Sequence, residues 1–116
     1  MAALFGTKRC KDLKPHAVHE ALKSGEVLLI DVREPQEFAA ERIEGAVHFP
    51  LSSFDPRALP VSDGRPIVMQ CGSGMRSAKA VGLCQQAGLE VDRHLEGGIN
   101  AWKQAGLPTV SGPAGS

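Results

Sequence analysis

Two short apolar runs constrain the fold of this chain more than any other sequence feature. They are "EVLLIDVR" at residues 26–33 and "PIVMQ" at residues 66–70, and neither alternates apolar with polar side chains. A continuous apolar run of this length is typical of a strand that is covered on both faces of a parallel sheet. We therefore predict buried strands at both positions, with two further short strands at residues 45–50 and 91–95.

Segments with helical spacing separate these strands. The first begins at Pro15, a favourable residue for a first helical turn, and ends before Gly25. The others are predicted at residues 34–43, 77–87 and 99–105. Helix and strand thus alternate along the chain, which predicts the α/β class with a mainly parallel sheet. In such sheets, ligands bind beyond the carboxyl ends of the strands.

Length and charge limit the architecture and the partners. With 116 residues the chain fits one compact domain, which we place at residues 1–108, followed by a flexible tail at residues 109–116. Its 13 Lys and Arg residues balance 13 Asp and Glu residues, so the overall charge favours neither nucleic acid nor a membrane surface. No apolar run reaches the roughly 18 residues of a membrane span. We expect no nucleic-acid partner and no membrane partner.

The three cysteines, Cys10, Cys71 and Cys84, indicate the redox environment. Their odd number and the lack of a Cys-x-x-Cys pair argue against a disulfide framework and against a zinc site, so we predict no bound metal. A reducing compartment is the simplest interpretation, and no signal-peptide pattern precedes Gly6, so we expect a cytoplasmic protein. Among the three, Cys10 and Cys84 are interpreted as inert thiols.

Cys71 differs because it lies at the carboxyl end of a predicted strand and opens the loop "CGSGMRS". Gly72 and Gly74 allow positive φ angles, with which the backbone can fold so that its N–H groups converge on one point. The helix predicted from Ser77 adds the positive end of its dipole. Arg76 adds a charge or locks the loop by bonding its carbonyl groups. The loop therefore predicts a low pKa for the Cys71 thiol and a nucleophilic thiolate.

The length of the loop separates two kinds of cysteine chemistry. Cysteine phosphatases place five residues between the cysteine and the arginine, which makes a cradle for a tetrahedral phosphate. Only four residues, Gly72 to Met75, separate Cys71 from Arg76. A smaller cradle suits a single terminal sulfur better than a phosphoryl group, so the spacing favours persulfide chemistry.

The loop also resembles the active-site loop of rhodanese-like sulfurtransferases. Three further stretches agree with that family in order and spacing: "LLIDVREPQEF", "IEGAVHFP" and "HLEGGINAWKQAGLP". The resemblance runs from Leu28 to Pro108, and it implies the rhodanese-like three-layer fold, a five-stranded mainly parallel sheet with helices on both faces. Family members commonly carry Gly-His before the isoleucine of the second stretch, where this chain has Glu41 and Arg42.

The resemblance also implies a reaction and a set of site residues. Cys71 would accept sulfane sulfur from thiosulfate or a low-molecular-weight persulfide and pass it to cyanide, glutathione or a protein thiol such as that of thioredoxin. No metal or organic cofactor is implied, because sulfur itself is the carried group. The persulfide would be stabilised by the remaining residues of the loop, which are Gly72, Ser73, Gly74, Met75, Arg76 and Ser77.

Other residues near the loop receive lesser roles. Asp31 and Arg33 are assigned a supporting role, because side chains two apart on a strand share a face and can brace the loop. Ser73 and Met75 are expected to point outward and to set donor preference. Because both are uncharged, they favour a donor that is less anionic than thiosulfate. His94 is interpreted as structural.

Three other functions remain to be weighed against small-molecule sulfur transfer. A non-catalytic rhodanese-like binding module is disfavoured, because such modules typically lack the cysteine that this chain keeps. A phosphatase or an arsenate reductase is disfavoured by the short loop. A protein-to-protein sulfur relay uses the same chemistry, and the sequence leaves it open.

Overall fold

The computed structural model describes residues 10–60 and 64–112. Within these residues five strands pair in parallel, and their bounds are β1 Lys11–Leu13, β2 Leu28–Asp31, β3 Val47–His48, β4 Ile67–Gln70 and β5 Arg93–Leu95. They form one sheet in the order β1-β5-β4-β2-β3. The α-helices between them are α1 Pro15–Lys23, α2 Pro35–Ala40 and α3 Met75–Gln86, and α4 Gly98–Gln104 follows β5. The predicted α/β class with a five-stranded parallel sheet is confirmed.

The sheet separates two apolar layers. Leu28 and Ile30 of β2 pack in the same cluster as Cys84 of α3. The residue between them, Leu29, packs in the opposite cluster with Trp102 of α4. Because successive side chains of a strand point to opposite faces, a continuous apolar run fills both layers at once. Helices therefore cover both faces, which confirms the three-layer arrangement.

Several details of the secondary structure differ from the prediction, including the following three. Strand β1 was not predicted, because Lys11–Leu13 lies at the edge of the sheet with mostly exposed side chains and has no apolar run. The strand predicted at residues 45–50 is only Val47–His48. Helix α3 begins at Met75 rather than at Ser77, so the last loop residues already belong to its first turn.

The segment after α4 is paired where the sequence predicts a flexible tail. The backbone N–H and C=O of Val110 both bond to Arg42. The Thr109 hydroxyl donates to the Glu41 carboxylate at 2.6 Å. Glu41 and Arg42, which replace the usual Gly-His of the resembled family, thus hold residues 109–110 against the domain. Residues 113–116 of the predicted tail lie outside the described residues.

No helix among the described residues has the length and apolar character required to cross a membrane.

Candidate active site

The Cys71 sulfur lies under a loop whose N–H groups point at it. Cys71 follows the last residue of β4 and has no solvent-exposed surface. The amide of Gly74 donates to Sγ at 3.1 Å, and the amide of Ser77 donates at 3.3 Å. The Ser77 hydroxyl oxygen lies 3.6 Å from Sγ. The sulfur is therefore buried and also surrounded by hydrogen-bond donors.

These donors decide the pKa of the Cys71 thiol. Burial is the largest single influence and raises the pKa, because it disfavours the charged thiolate. The Ser77 hydroxyl, together with the amides of Ser77, Gly74 and Ser73, lowers the pKa by bonding to the anion. Their sum outweighs burial, so the pKa of Cys71 lies below its ordinary value. The site favours an anionic sulfur.

Gly74 provides the turn that aims these amides. Its φ is +109°, a left-handed conformation that side chains rarely adopt, and α3 begins at the next residue. A Cβ at this position would also lie 3.5 Å from the Gly97 nitrogen and 3.6 Å from the His94 ring. These are ordinary van der Waals distances, so it is the positive φ of residue 74, and not its packing, that requires a glycine.

The first turn of α4 bonds to the backbone of the Cys71 loop. The amide of Ile99 donates to the Cys71 carbonyl at 2.8 Å, and the amide of Asn100 donates to the Gly72 carbonyl at 3.1 Å. Gly98, with φ of +61°, lies so close that a Cβ would overlap both carbonyl groups. Sequence reasoning gave Gly98 no role, although the double glycine in "LEGGIN" was a visible signal of close backbone approach.

Arg76 is held by a carboxylate of another helix. Its guanidinium donates to both oxygens of Glu37 in α2, at 2.7 and 3.0 Å. This contact lowers the pKa of Glu37 to about 2. The sequence predicted that Arg76 would add charge or bond the carbonyls of its own loop. Among the described residues, the hydrogen bonds of the Arg76 guanidinium go to Glu37 instead. The charge of Arg76 is therefore paired with the Glu37 carboxylate, and this ion pair connects the loop to α2.

Asp31 and Arg33 form a buried ion pair. Arg33 bonds the Asp31 carboxylate at 2.8 Å, and Gln70 donates to the same carboxylate at 2.7 Å. Arg33 also donates to the backbone carbonyl of Glu37 in α2 and to that of Glu41, the residue after this helix. The buried pair thus connects the residue before Cys71 to α2, which in turn carries the carboxylate that holds Arg76.

The outward residues of the loop are uncharged. Ser73 is exposed, and Met75 is 81% exposed, the largest exposure of any big apolar side chain in the described chain. Their exposure agrees with the expectation that both side chains point outward from the loop.

Asp12, near the loop, was given no role by sequence reasoning, and its partner His94 was interpreted as structural. The Ser77 hydroxyl lies 2.7 Å from Nδ1 of His94, and Nε2 of His94 lies 2.7 Å from Asp12. Asp12 and His94 are 82 positions apart in sequence, and they meet because β1 pairs with β5. The sequence offered no signal for this contact, since β1 itself was not predicted.

Comparisons with known proteins agree on one family. The family model described as Rhodanese-like domain matches residues 14–105. The protein slr1261 of Synechocystis sp. is 45% identical over 98 residues, which cover 84% of this chain and 55% of that protein. A protein of Allochromatium vinosum named Sulfurtransferase is 37% identical over 86 residues, covering 74% and 80%. The crystal structure of a rhodanese-related protein from Thermoplasma volcanium matches with a TM-score of 0.72 at 29% identity, covering 86% and 97%. The chain thus spans about half of slr1261 and most of the other two.

Proposed function

Because this chain belongs to the rhodanese-like domain family, we propose that it is a sulfurtransferase that carries sulfane sulfur as a persulfide on Cys71. The observation that carries the proposal is the pair of amides, from Gly74 and Ser77, that donate to the buried Sγ. The 37% identity to the Sulfurtransferase of Allochromatium vinosum supports the same reaction class.

In the first step, the Cys71 thiolate attacks the outer sulfur of thiosulfate or of a low-molecular-weight persulfide. A bond forms between Sγ and that sulfur, and the sulfur–sulfur bond of the donor breaks. The leaving sulfite or thiolate takes the electron pair. Backbone donors that already stabilise the Cys71 thiolate also suit an anionic persulfide, because its terminal sulfur is bonded directly to the Sγ atom that these amides surround.

In the second step, an acceptor nucleophile attacks the terminal sulfur, and Cys71 leaves as a thiolate. Cyanide, glutathione or a protein thiol such as that of thioredoxin can serve as acceptor. The scheme needs no metal and no organic cofactor. Net charge at the site is the same before and after each transfer, so one set of donors serves both forms of the cysteine.

The loop residues around the sulfur affect which sulfur donor the site prefers. Ser73 and Met75 are exposed and uncharged, and the Arg76 charge is paired with Glu37. A dianionic donor therefore finds no free cation at these positions, which favours a less charged donor such as glutathione persulfide over thiosulfate. The same pairing argues against phosphoryl transfer, which requires a guanidinium directed at a phosphate.

Intact-mass measurement after incubation with thiosulfate or with glutathione persulfide tests the proposal. We expect the wild-type chain to gain one sulfur atom, which cyanide removes as thiocyanate. The Cys71→Ser variant should gain none. Persistence of the gain in Cys71→Ser would move the chemistry to another cysteine, and failure of the wild-type chain to take sulfur from either donor would contradict the proposed function.

A further inference from the structure

A chain of hydrogen bonds runs from the buried sulfur to the protein surface. Cys71 Sγ lies 3.6 Å from Ser77 Oγ, and Ser77 Oγ lies 2.7 Å from His94 Nδ1. The other ring nitrogen, His94 Nε2, lies 2.7 Å from a carboxylate oxygen of Asp12. The His94 side chain is 8% exposed, whereas that of Asp12 is 59% exposed. The chain therefore links a sulfur without solvent access to a carboxylate in contact with water.

The Asp12 carboxylate restricts the state of the imidazole. An ionised carboxylate only accepts hydrogen bonds, so the Nε2 atom of His94 carries a hydrogen. Nδ1 then accepts from the Ser77 hydroxyl when the ring is neutral and donates to it when the ring is charged. In the charged state, the single hydroxyl hydrogen of Ser77 is released from Nδ1 and can point at Cys71 Sγ, 3.6 Å away, or at the Gly74 carbonyl oxygen, to which the hydroxyl donates at 3.1 Å. The direction of the Ser77 hydroxyl thus follows the protonation of His94.

We propose that Asp12, His94 and Ser77 form a proton relay that takes the proton of the Cys71 thiol and holds it on His94 while the sulfur is anionic. The Sγ–H bond breaks as an Oγ–H bond forms on Ser77, and the original hydroxyl proton of Ser77 moves to Nδ1 of His94. Ser77 ends as a hydroxyl whose hydrogen points at the sulfur. The step is a proton transfer without oxidation or reduction.

His94 and Asp12 are positioning residues in this scheme, because they act on the sulfur through Ser77. The inference rests on the proposed function in one respect: the persulfide is the second anion that the relay stabilises.

The surroundings of His94 favour this arrangement. From β1 it faces Asp12, from α3 it faces Ser77 with the sulfur behind it, and in β4 its register partner is the apolar Met69. The ring edge also lies next to Gly74. Other charged residues near β5 have ion pairs of their own, which are Asp92 with Lys11 and Arg93, and Glu96 with Lys14. Within the described residues, Asp12 is thus the ionic partner of this histidine.

The test is a thiolate titration by ultraviolet absorbance in a background where Cys71 is the only cysteine, made by Cys10→Ser with Cys84→Ala. We expect His94→Asn to raise the midpoint of Cys71 ionisation by about one pH unit, because the variant removes the ring that turns the Ser77 hydroxyl hydrogen toward the thiolate. In sulfur transfer, kcat/KM at neutral pH should fall about tenfold and recover at alkaline pH, with KM little changed.

A double-mutant cycle separates a relay from independent effects. Ser77→Ala removes the link, so adding His94→Asn to it should leave the midpoint where Ser77→Ala alone places it. Asp12→Asn, at an exposed position, should raise the midpoint by an intermediate amount and provides the test if His94→Asn does not fold. His19→Asn is the matched control, because that ring packs edge-on against Trp102 and should leave the midpoint unchanged.

Two results would overturn the relay. One is an unchanged midpoint in both His94→Asn and Asp12→Asn. The other is an equal shift from His94→Asn with and without the Ser77 hydroxyl. Because the titration uses no sulfur donor, its outcome is separate from the proposed function. A chain that takes up no sulfur but has the coupled shifts keeps the relay and loses the sulfurtransferase assignment.

Discussion

Two cysteines of this protein share a core and differ in chemistry. Cys71, in the loop after β4, and Cys84, inside α3, belong to the same apolar cluster, and neither has exposed surface. Burial raises the pKa of Cys84 to about 11. The pKa of Cys71 is lowered, because the loop donors outweigh burial. Burial alone therefore does not decide whether a thiol is inert, whereas unpaired N–H groups beside it do.

A single helix accounts for much of this difference. The first N–H groups of an α-helix have no partner within the helix, whereas those of later turns bond to the preceding carbonyls. Ser77 lies in the first turn of α3, and its free amide points at Cys71. Cys84 lies two turns further, where the backbone has no free donor to offer. Position along α3 thus separates an activated thiol from a packing residue.

The contrast between the two cysteines should be greatest in turnover. We expect Cys71→Ser to reduce thiocyanate formation from cyanide and a sulfur donor to the rate without enzyme. Cys84→Ala should keep turnover within about twofold of wild type, since it removes only an apolar contact. A folded Cys84→Ala variant that has lost activity would show that the second cysteine takes part in the chemistry.

Two glycines, Gly98 and Gly82, allow a second comparison between the active-site loop and the interior of α3. Gly98→Ala places a Cβ against the Cys71 and Gly72 carbonyls at a positive φ, so we expect unfolding free energy to fall by about 2 kcal/mol and turnover to fall about tenfold or more. Denaturant unfolding and steady-state kinetics measure the two effects.

Gly82→Ala is the control for that variant. It lies inside α3 with open space around its Cβ position, so the variant should be more stable by up to about 1 kcal/mol and equally active. Equal losses in Gly98→Ala and Gly82→Ala would refute the role of close approach at Gly98.

A smaller effect is expected at the ion pair that ties the loop to α2. The side chains of Arg76 and Glu37 are 37% and 36% exposed, so solvent screens the pair, and Glu37→Gln should cost about 0.5 kcal/mol of unfolding free energy at neutral pH. Since the pKa of Glu37 is lowered in the fold to about 2, the stabilisation is fully present above its ordinary value of 4.5.

The pH dependence of the unfolding free energy is a second test of the ion pair between Arg76 and Glu37. The stabilisation by Glu37 is lost as pH falls from 4.5 through about 2, so wild-type and Glu37→Gln unfolding curves should converge in acid. Unfolding curves recorded across this range measure the difference. Curves that diverge as pH falls would contradict the assigned pairing.

The sequence was informative where local chemistry decides the outcome. Buried strands were visible as apolar runs, and the lowered pKa of Cys71 could be expected because glycines and a helix start surround it. Arg76 was placed at the site, but its partner Glu37 lies 39 positions away and depends on how α2 packs. Contacts of that kind follow from tertiary packing and leave no local pattern.

The pair of Asp12 and His94 was beyond sequence reasoning for a related reason. Its existence requires β1 to be a strand and to lie beside β5, although "KDL" has no strand pattern of its own. Edge strands with exposed side chains are defined by the backbone of their neighbour more than by their own residues. A site that depends on such a strand is therefore visible only once the sheet is built.

The most direct measurement of the central claim is a pH titration of the cysteine β-carbons by NMR in isotope-labelled wild-type protein. It reports both thiols in one sample and does not depend on access by a reagent. We expect the Cys71 signal to titrate below the pH of an ordinary thiol and the Cys84 signal to titrate at a pH of about 11. Two signals that titrate together, or a Cys71 midpoint above that of Cys84, would contradict the account.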